Sequence, residues 1–268
     1  MKKVLVLDID GTVVNSAKEI TLATKQAINH IMDKGHGVML ASGRPLPGMR
    51  RFSRELGLEE RGGYLMASNG AKVVDCRTGE IVYQKLLPLS IVPRIYEYAK
   101  AHDCGLITFL GDNSISAFEP DEYVLYEAKI NGITAVHVED WPTFVNFDIN
   151  KCIVTAEPAK AEIYEKELQE LFVGVANVFR SDPYFIEVVP VGVDKALSLE
   201  QILPLLGVKQ EQLVCCGDGF NDITMLKYAG VGVAMGNAQP PVKAVADYVT
   251  ATNDEDGIVE VIEKFFSE

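Results

Sequence analysis

Three stretches of the chain run apolar and then break off into small and acidic residues: VLVLDIDG at 4–11, VMLASGR at 38–44 and LVCCGDGFND at 213–222. Each predicts a fully buried strand, the kind found in parallel sheets covered on both faces. Between the first two, ITLATKQAINHIMDKG repeats Ala23, Ala27, Ile28, Ile31 and Met32 at helical spacing before Gly35 supplies a stop. Strand, helix and strand in that order make a βαβ unit. After residue 190 the alternation resumes. A helix in ALSLEQILPLLG leads to the strand at 213–216, a helix from about Asp222, the strand VGVAM, a helix near PPVKAVA, then DYVTA and a last helix in GIVEVIEKFF. This order predicts a doubly wound α/β sheet, whose ligands sit at the carboxyl ends of strands near a switch point. The three polar strand ends would meet in one crevice.

The middle of the chain has a different texture. A helix opens after Ser90 as N-cap with Pro93 in its first turn, and LITFLGDNSISAF reads as two strands around a Gly-Asp-Asn turn. KCIVTA, a helix in KAEIYEKELQELF and a hairpin NVFRSDPYFIEVV around Ser181, Asp182 and Pro183 follow. Paired strands with helices predict an α+β insertion at 85–188 that splits the core into 1–84 and 189–268. At 268 residues the chain has room for both.

Composition narrows the partners. With 48% hydrophobic and 24% charged residues the chain belongs with globular proteins. A formal net charge of −13 argues against nucleic acid, which is bound by clustered Lys and Arg. The five cysteines, Cys76, Cys104, Cys152, Cys215 and Cys216, form no CxxC pair, so neither a disulfide framework nor a zinc site is expected. The opening MKKVLVLDIDG turns polar at Asp8, short of the about 7 to 15 apolar residues of a secretory signal. No stretch approaches the roughly 18 of a membrane span. A cytoplasmic protein with no membrane or obligate protein partner is expected.

Chemistry concentrates at the strand ends. Alternate residues of a strand share a side, so Asp8 and Asp10 address one point, and Gly11 allows a tight turn there. An isolated DxD would be a turn or a cap, but GDGFND adds Asp218, Asn221 and Asp222 at a second strand end. Four converging carboxylates repel unless a cation neutralises them, and hard oxygen ligands point to Mg²⁺. Ser42 and the unhindered backbone N–H of Gly43 suit phosphate oxygens, and Lys195, just before a helical segment, can balance charge on the same phosphate.

DIDGT, ASGR, Lys195 and GDGFND, in that order, resemble the four motifs of the haloacid dehalogenase superfamily, in particular its Cof-type sugar-phosphatase branch with a type IIB cap. The resemblance covers essentially the whole chain. It implies a Rossmann-like core and a cap that selects the substrate. It also implies that Asp8 is the nucleophile that forms an aspartyl phosphate and that Asp10 is the general acid and base. Mg²⁺ would be held by Asp8, the Asp10 carbonyl and Asp218, with Asp222 as ligand or nearby support. Ser42, Gly43, Lys195, Asn221 and the Ile9 backbone would hold the phosphoryl group. Two departures, Ala196 where many relatives have Gly and Ser42 where Thr is common, keep the required groups.

The expected activity is Mg²⁺-dependent hydrolysis of small phosphorylated metabolites, sugar phosphates first. A phosphomutase on the same core and a non-catalytic phosphate-binding protein are the alternatives. Asn69 in SNGA is read as a turn without a catalytic role, and Asp254, Glu255 and Asp256 as a solvated cap for the last helix.

Overall fold

Val4, Leu5, Val6 and Leu7 are all buried, although alternate residues of a strand point to opposite faces. Both faces of the sheet they enter must therefore be covered. The computed structural model describes residues 2–267 and divides into two compact units, Met1–Gln84 with Asp194–Glu268, and Lys85–Val193.

The first unit begins with strands β1 (Val4–Leu7), β2 (Gly37–Ala41), β3 (Tyr64–Ala67), β4 (Lys72–Asp75) and β5 (Ile81–Gln84). The inserted unit holds β6 (Gly105–Leu110), β7 (Asn113–Ser116), β8 (Thr134–His137), β9 (Cys152–Thr155), β10 (Ala176–Asp182) and β11 (Phe185–Pro190). The chain then returns for β12 (Leu213–Gly217), β13 (Val231–Ala234) and β14 (Tyr248–Val249).

The core sheet runs in the order 14-13-12-1-2-3-4-5. It is parallel from β14 to β3, and β4 and β5 extend it antiparallel at one edge. The chain builds outward from β1 through β2 and β3, then resumes on the other side with β12, so the switch point lies between β1 and β12. Leu5, Leu7, Val38 and Leu40 face one apolar layer with Ile28, Ile31, Ile258 and Val261, contributed by the helices Leu22–Asp33 and Gly257–Phe265. Val4, Val6, Met39 and Ala41 face the other with Leu199, Ile202 and Met225, from the helices Lys195–Leu206 and Ile223–Tyr228. Two helical layers on one parallel sheet account for the near-continuous apolar runs. The first helix starts on Thr21, whose hydroxyl accepts the Thr24 N–H at 3.1 Å, and closes at Lys34, one residue before the expected Gly35.

The inserted unit is a six-stranded sheet in the order 10-11-9-6-7-8, antiparallel except for the parallel β7 and β8 pair. Its helices Ile91–Ala101 and Pro158–Leu171 pack through Ile95, Ala161 and Leu168 onto Leu106, Cys152, Val154 and Ile186. Three details differ from the sequence reading. Ser90 stands at the start of the Ile91–Ala101 helix in helical geometry and makes no side-chain cap. The second hairpin turns at Pro183 and Tyr184, because β10 keeps pairing through Asp182. The return to the core falls after Val193 rather than at 189, because β11 continues through Pro190 within the inserted sheet. The short elements Glu122–Asn131, Thr134–His137 and Trp141–Phe144 had no clear periodicity to announce them.

Trp141, the chain's single tryptophan, is fully buried and donates its indole N–H to the Ile115 carbonyl at 3.0 Å. Trp141→Ala should destabilise this unit by about 3–5 kcal/mol through the cavity it leaves. Trp141→Phe should cost about 1–3 kcal/mol, mainly through the orphaned carbonyl. Urea denaturation followed by circular dichroism tests both, and unchanged midpoints would contradict the packing role.

Candidate active site

Asp8 sits one residue beyond β1, pinned by its N–H donating to the Cys216 carbonyl at 3.0 Å. The turn after it closes through Val13 N–H to the Asp8 carbonyl and Val14 N–H to the Ile9 carbonyl, at 3.3 and 3.1 Å. Gly11 makes this possible. It has φ +80°, and a Cβ there would lie 2.3 Å from a carboxylate oxygen of Asp218. Any side chain would displace that carboxylate. Thr12 instead donates its hydroxyl to Asp218 Oδ1 at 2.9 Å, tying the first loop to the one after β12.

Asp222 organises that second loop. Its Oδ2 accepts the backbone N–H groups of Asp218 and Gly219 at 3.0 and 2.9 Å, and its Oδ1 accepts from Lys195 at 2.6 Å. Gly217 must lack a side chain, since a Cβ would fall 2.4 Å from Asp222 Cγ. The G-D-G spacing thus follows from a buried carboxylate folding back on its own loop.

Lys195, the first residue of its helix behind the N-cap Asp194, is fully buried. Its ammonium donates to Asp8 Oδ1 at 2.6 Å, Asp222 Oδ1 at 2.6 Å and the Ala41 carbonyl at 2.8 Å. Burial alone would depress the lysine, but Asp222 and Asp8 hold it well above the usual lysine range. Burial pushes the Asp8 carboxyl up, Lys195 opposes it, and Asp222 adds to the rise. Burial likewise lifts Asp218 to about 6, against the Thr12 hydrogen bond that lowers it.

Asp8, Asp218 and Asp222 each offer a carboxylate oxygen within 4.8 Å of the others. One ammonium faces three carboxylates, so the cluster has room in charge for a divalent cation. Both oxygens of Asp222 are engaged with Lys195 and the loop amides, which fits a supporting place for it and leaves Asp8 and Asp218 as the better side-chain ligands.

Ser42, buried after β2, accepts the Arg44 N–H on its hydroxyl at 3.2 Å and presents its carbonyl to the Asn69 N–H at 2.9 Å. A Cβ on Gly43 would lie 3.3 Å from the Asn69 amide nitrogen. Asn221 donates its side-chain amide to Asn69 Oδ1 at 2.9 Å. Asn69 holds a left-handed backbone at φ 54°, strain of the kind that collects at functional sites. Asn69 is thus more than a turn residue: it links the loops bearing Ser42, Gly43 and Asn221. The side chain of Ile9 is fully buried, so only its backbone can address the site.

Asp10 has other partners than Asp8. Arg44 grips it with Nε at 2.6 Å on Oδ2 and Nη2 at 3.0 Å on Oδ1, and Lys18 reaches Oδ1 at 2.9 Å. Burial would raise this carboxyl, but Arg44 and then Lys18 bring it down to about 2. Neither partner was singled out in the sequence. Arg44 closes the ASGR segment and was available there, whereas Lys18 has no motif and is marked only by a left-handed φ of 63°. The acidic run near the end of the chain is also more than a solvated cap. Asp254 accepts the Ser16 N–H and hydroxyl, both at 2.7 Å, and Asp256 accepts the Thr21 and Thr24 hydroxyls, fastening the loop that carries Lys18.

A doubly wound core with carboxylates, a buried lysine and small hydroxyl and amide groups at its switch point has the makings of a phosphoryl-handling α/β hydrolase. The chain matches the haloacid dehalogenase-like hydrolase family over residues 5–262 and belongs to it. It is 31% identical over 260 residues to a 5-amino-6-(5-phospho-D-ribitylamino)uracil phosphatase of Bacillus subtilis, covering 97% of this chain and 94% of that one. A haloacid dehalogenase-like hydrolase from Bacteroides thetaiotaomicron superposes with a TM-score of 0.95 at 41% identity, covering 99% of this chain and 100% of that one. The HAD subclass IIB sugar phosphatase BT4131 superposes at 0.80 with 30% identity, covering 99% of each chain. The protein is a phosphatase of this family. No helix among the described residues is long and apolar enough to cross a membrane.

Arg44→Ala should raise the Asp10 carboxyl from about 2 to or beyond its ordinary 3.8, because burial then meets only Lys18. The intact clamp contributes stability that is present above the unfolded value of 3.8 and is lost as pH falls through about 2. A ¹³C NMR titration of the Asp10 carboxyl in metal-free protein measures the shift. A variant still titrating near 2 would show that Arg44 is not what holds it.

Proposed function

We propose that this phosphatase hydrolyses small sugar phosphates, with Mg²⁺, through an aspartyl phosphate on Asp8. The observation that carries the reading is the Lys195 ammonium shared at 2.6 Å between Asp8 and Asp222, with Asp218 alongside. That arrangement fixes one carboxylate at a strand end and surrounds it with the charge a phosphoryl group needs.

In the first displacement an Asp8 oxygen bonds to phosphorus as the ester P–O bond breaks, and the leaving alkoxide takes a proton from Asp10. In the second, Asp10 takes a proton from water, whose oxygen attacks phosphorus and releases Asp8 and inorganic phosphate. Ser42, Asn221 and the backbone at Ile9 and Gly43 hold the phosphoryl oxygens, and the buried charge of Lys195 offsets theirs. Bound Mg²⁺, held by Asp8, the Asp10 carbonyl and Asp218, would neutralise carboxylate and phosphate charge, with Asp222 acting through the loop it folds. The charge-paired Asp10 is in its base form, ready for the second displacement. For the first, its hold on Arg44 and Lys18 must loosen as it gains a proton.

The sugar-phosphate class is supported by the likeness to a solved subclass IIB sugar phosphatase. Substrate selection is assigned to the inserted unit Lys85–Val193, since the core groups above all address the phosphoryl group.

Phosphate release from a panel of metabolite phosphates should require Mg²⁺ and fall by about a thousandfold or more in Asp8→Asn. An isomerised phosphosugar in place of free phosphate would replace hydrolysis with mutase chemistry. Asp10→Asn should slow alkyl phosphates by roughly 10²–10⁴-fold and activated aryl phosphates much less. Equal defects on both would remove Asp10 from the acid role.

A further inference from the structure

The amino ends of the same strands open onto a cavity of about 350 Å³ whose walls carry Lys2, Lys3, His36, Arg61, Arg77 and Asp75. The volume lies within the range of small-molecule pockets, roughly 300–1,000 Å³. It is well away from Asp8: four residues of strand lie between Lys3 and Asp8, so five rises of roughly 3.3 Å put the two about 16 Å apart.

The charge in this cavity is unbalanced. Asp75, its acidic wall residue, directs Oδ1 to the backbone N–H groups of Arg77 and Thr78 at 2.8 and 3.2 Å, not to a cation. Lys3 donates to the Phe265 carbonyl at 2.5 Å and Arg77 to the Arg61 carbonyl at 2.5 Å, neutral partners that leave both charges in place. Among the described residues Arg61 alone of these cations pairs with a carboxylate, that of Asp33. Among the described residues Lys2, Lys3 and Arg77 form no ion pair. In a chain with 38 acidic and 25 basic residues, such a pocket runs against the composition.

His36 adds a neutral donor. Its Nδ1 accepts the Lys3 N–H at 3.1 Å, which assigns the ring proton to Nε2. Burial, then the Lys3 and Lys34 charges, hold the imidazole below its ordinary range. Tyr64, Leu206 and Val208 give the cavity an apolar side. Cations spread from the start of β1 to the end of β4 span three strand spacings, about 14 Å.

We propose that this cavity binds a small organic polyanion, carrying two or more phosphate or carboxylate groups on a compact body, at a site separate from catalysis. The cations take the anionic groups through charge-assisted hydrogen bonds, and the Tyr64 side takes the body.

Inorganic pyrophosphate, the charged part alone, is the probe. It is titrated into the full, metal-free protein while the His36 imidazole resonance is followed by NMR, assigned by its loss in His36→Gln. The resonance should move saturably below about 10 mM. Lys2→Ala with Arg77→Ala should weaken that binding about tenfold or more, with phosphate release from a substrate unchanged. Lys2→Gln alone, on an exposed side chain, gives the same direction should the double variant fold poorly. No saturable shift would overturn the proposal. So would an equal response in the variants, or the same shift from chloride at matched ionic strength.

Discussion

A single ammonium closes the functional end of the core. Lys195 has three N–H donors and spends each on a different strand end: Asp8 after β1, the Ala41 carbonyl of β2, and Asp222 beyond β12. Its own helix is anchored in turn by Asp194, which caps Leu197 N–H at 2.9 Å, and by Ser198, whose hydroxyl donates to the Gly70 carbonyl at 2.8 Å. A buried charge survives only with its hydrogen bonds complete, and here completing them brings the loops together. Folding the core and assembling the site are one event.

The same lysine leaves the site electrostatically unfinished. It satisfies Asp222 together with two loop amides, but Asp8 and Asp218 retain more negative charge than one ammonium balances. Close backbone approach concentrates these groups, because Gly11 and Gly217 let the carboxylates of Asp218 and Asp222 pack within a few ångströms of neighbouring chain. Repulsion that would be a defect in a structural core becomes affinity for a divalent cation, whose charge would in turn draw a phosphoryl group.

The strand ends were legible because burial on both faces forces continuous apolar runs, and a carboxylate interrupting such a run stands out. Asp8, Lys195 and the GDGFND loop are tied together in the folded chain, and Asn69 joins Asn221 to the loop of Ser42 and Gly43. Arg44, Lys18 and Asn69 escaped for a common reason. Their parts depend on partners 34, 8 and 152 residues away, and exposed arginines, lysines and turn asparagines look alike in sequence. In the inserted unit the two hairpins were legible, whereas the segments between them, Glu122–Asn131, Thr134–His137 and Trp141–Phe144, carry no clear periodicity and are placed by packing against the sheet. Trp141 is buried by that packing rather than by any helical periodicity around it.

The contrast between the two carboxylates of DID is the last consequence. In the proposed mechanism Asp8 must hold one geometry through attack and release, and it stands at a strand end, 6% exposed and tied to a fully buried lysine. Asp10, the acid and base of that mechanism, has a side chain 34% exposed and partners carried on two loops. Arg44 shares its loop with Ser42: its backbone N–H donates to that hydroxyl while its guanidinium holds Asp10 ionised, so on the proposed mechanism a phosphoryl group engaging Ser42 brings negative charge to the loop that carries the guanidinium. Added negative charge there draws on the same cation and weakens its hold on the carboxylate. On the proposed mechanism, substrate arrival and the readiness of Asp10 to donate a proton are coupled through one arginine, while Asp8, tied to Lys195, stays where it is.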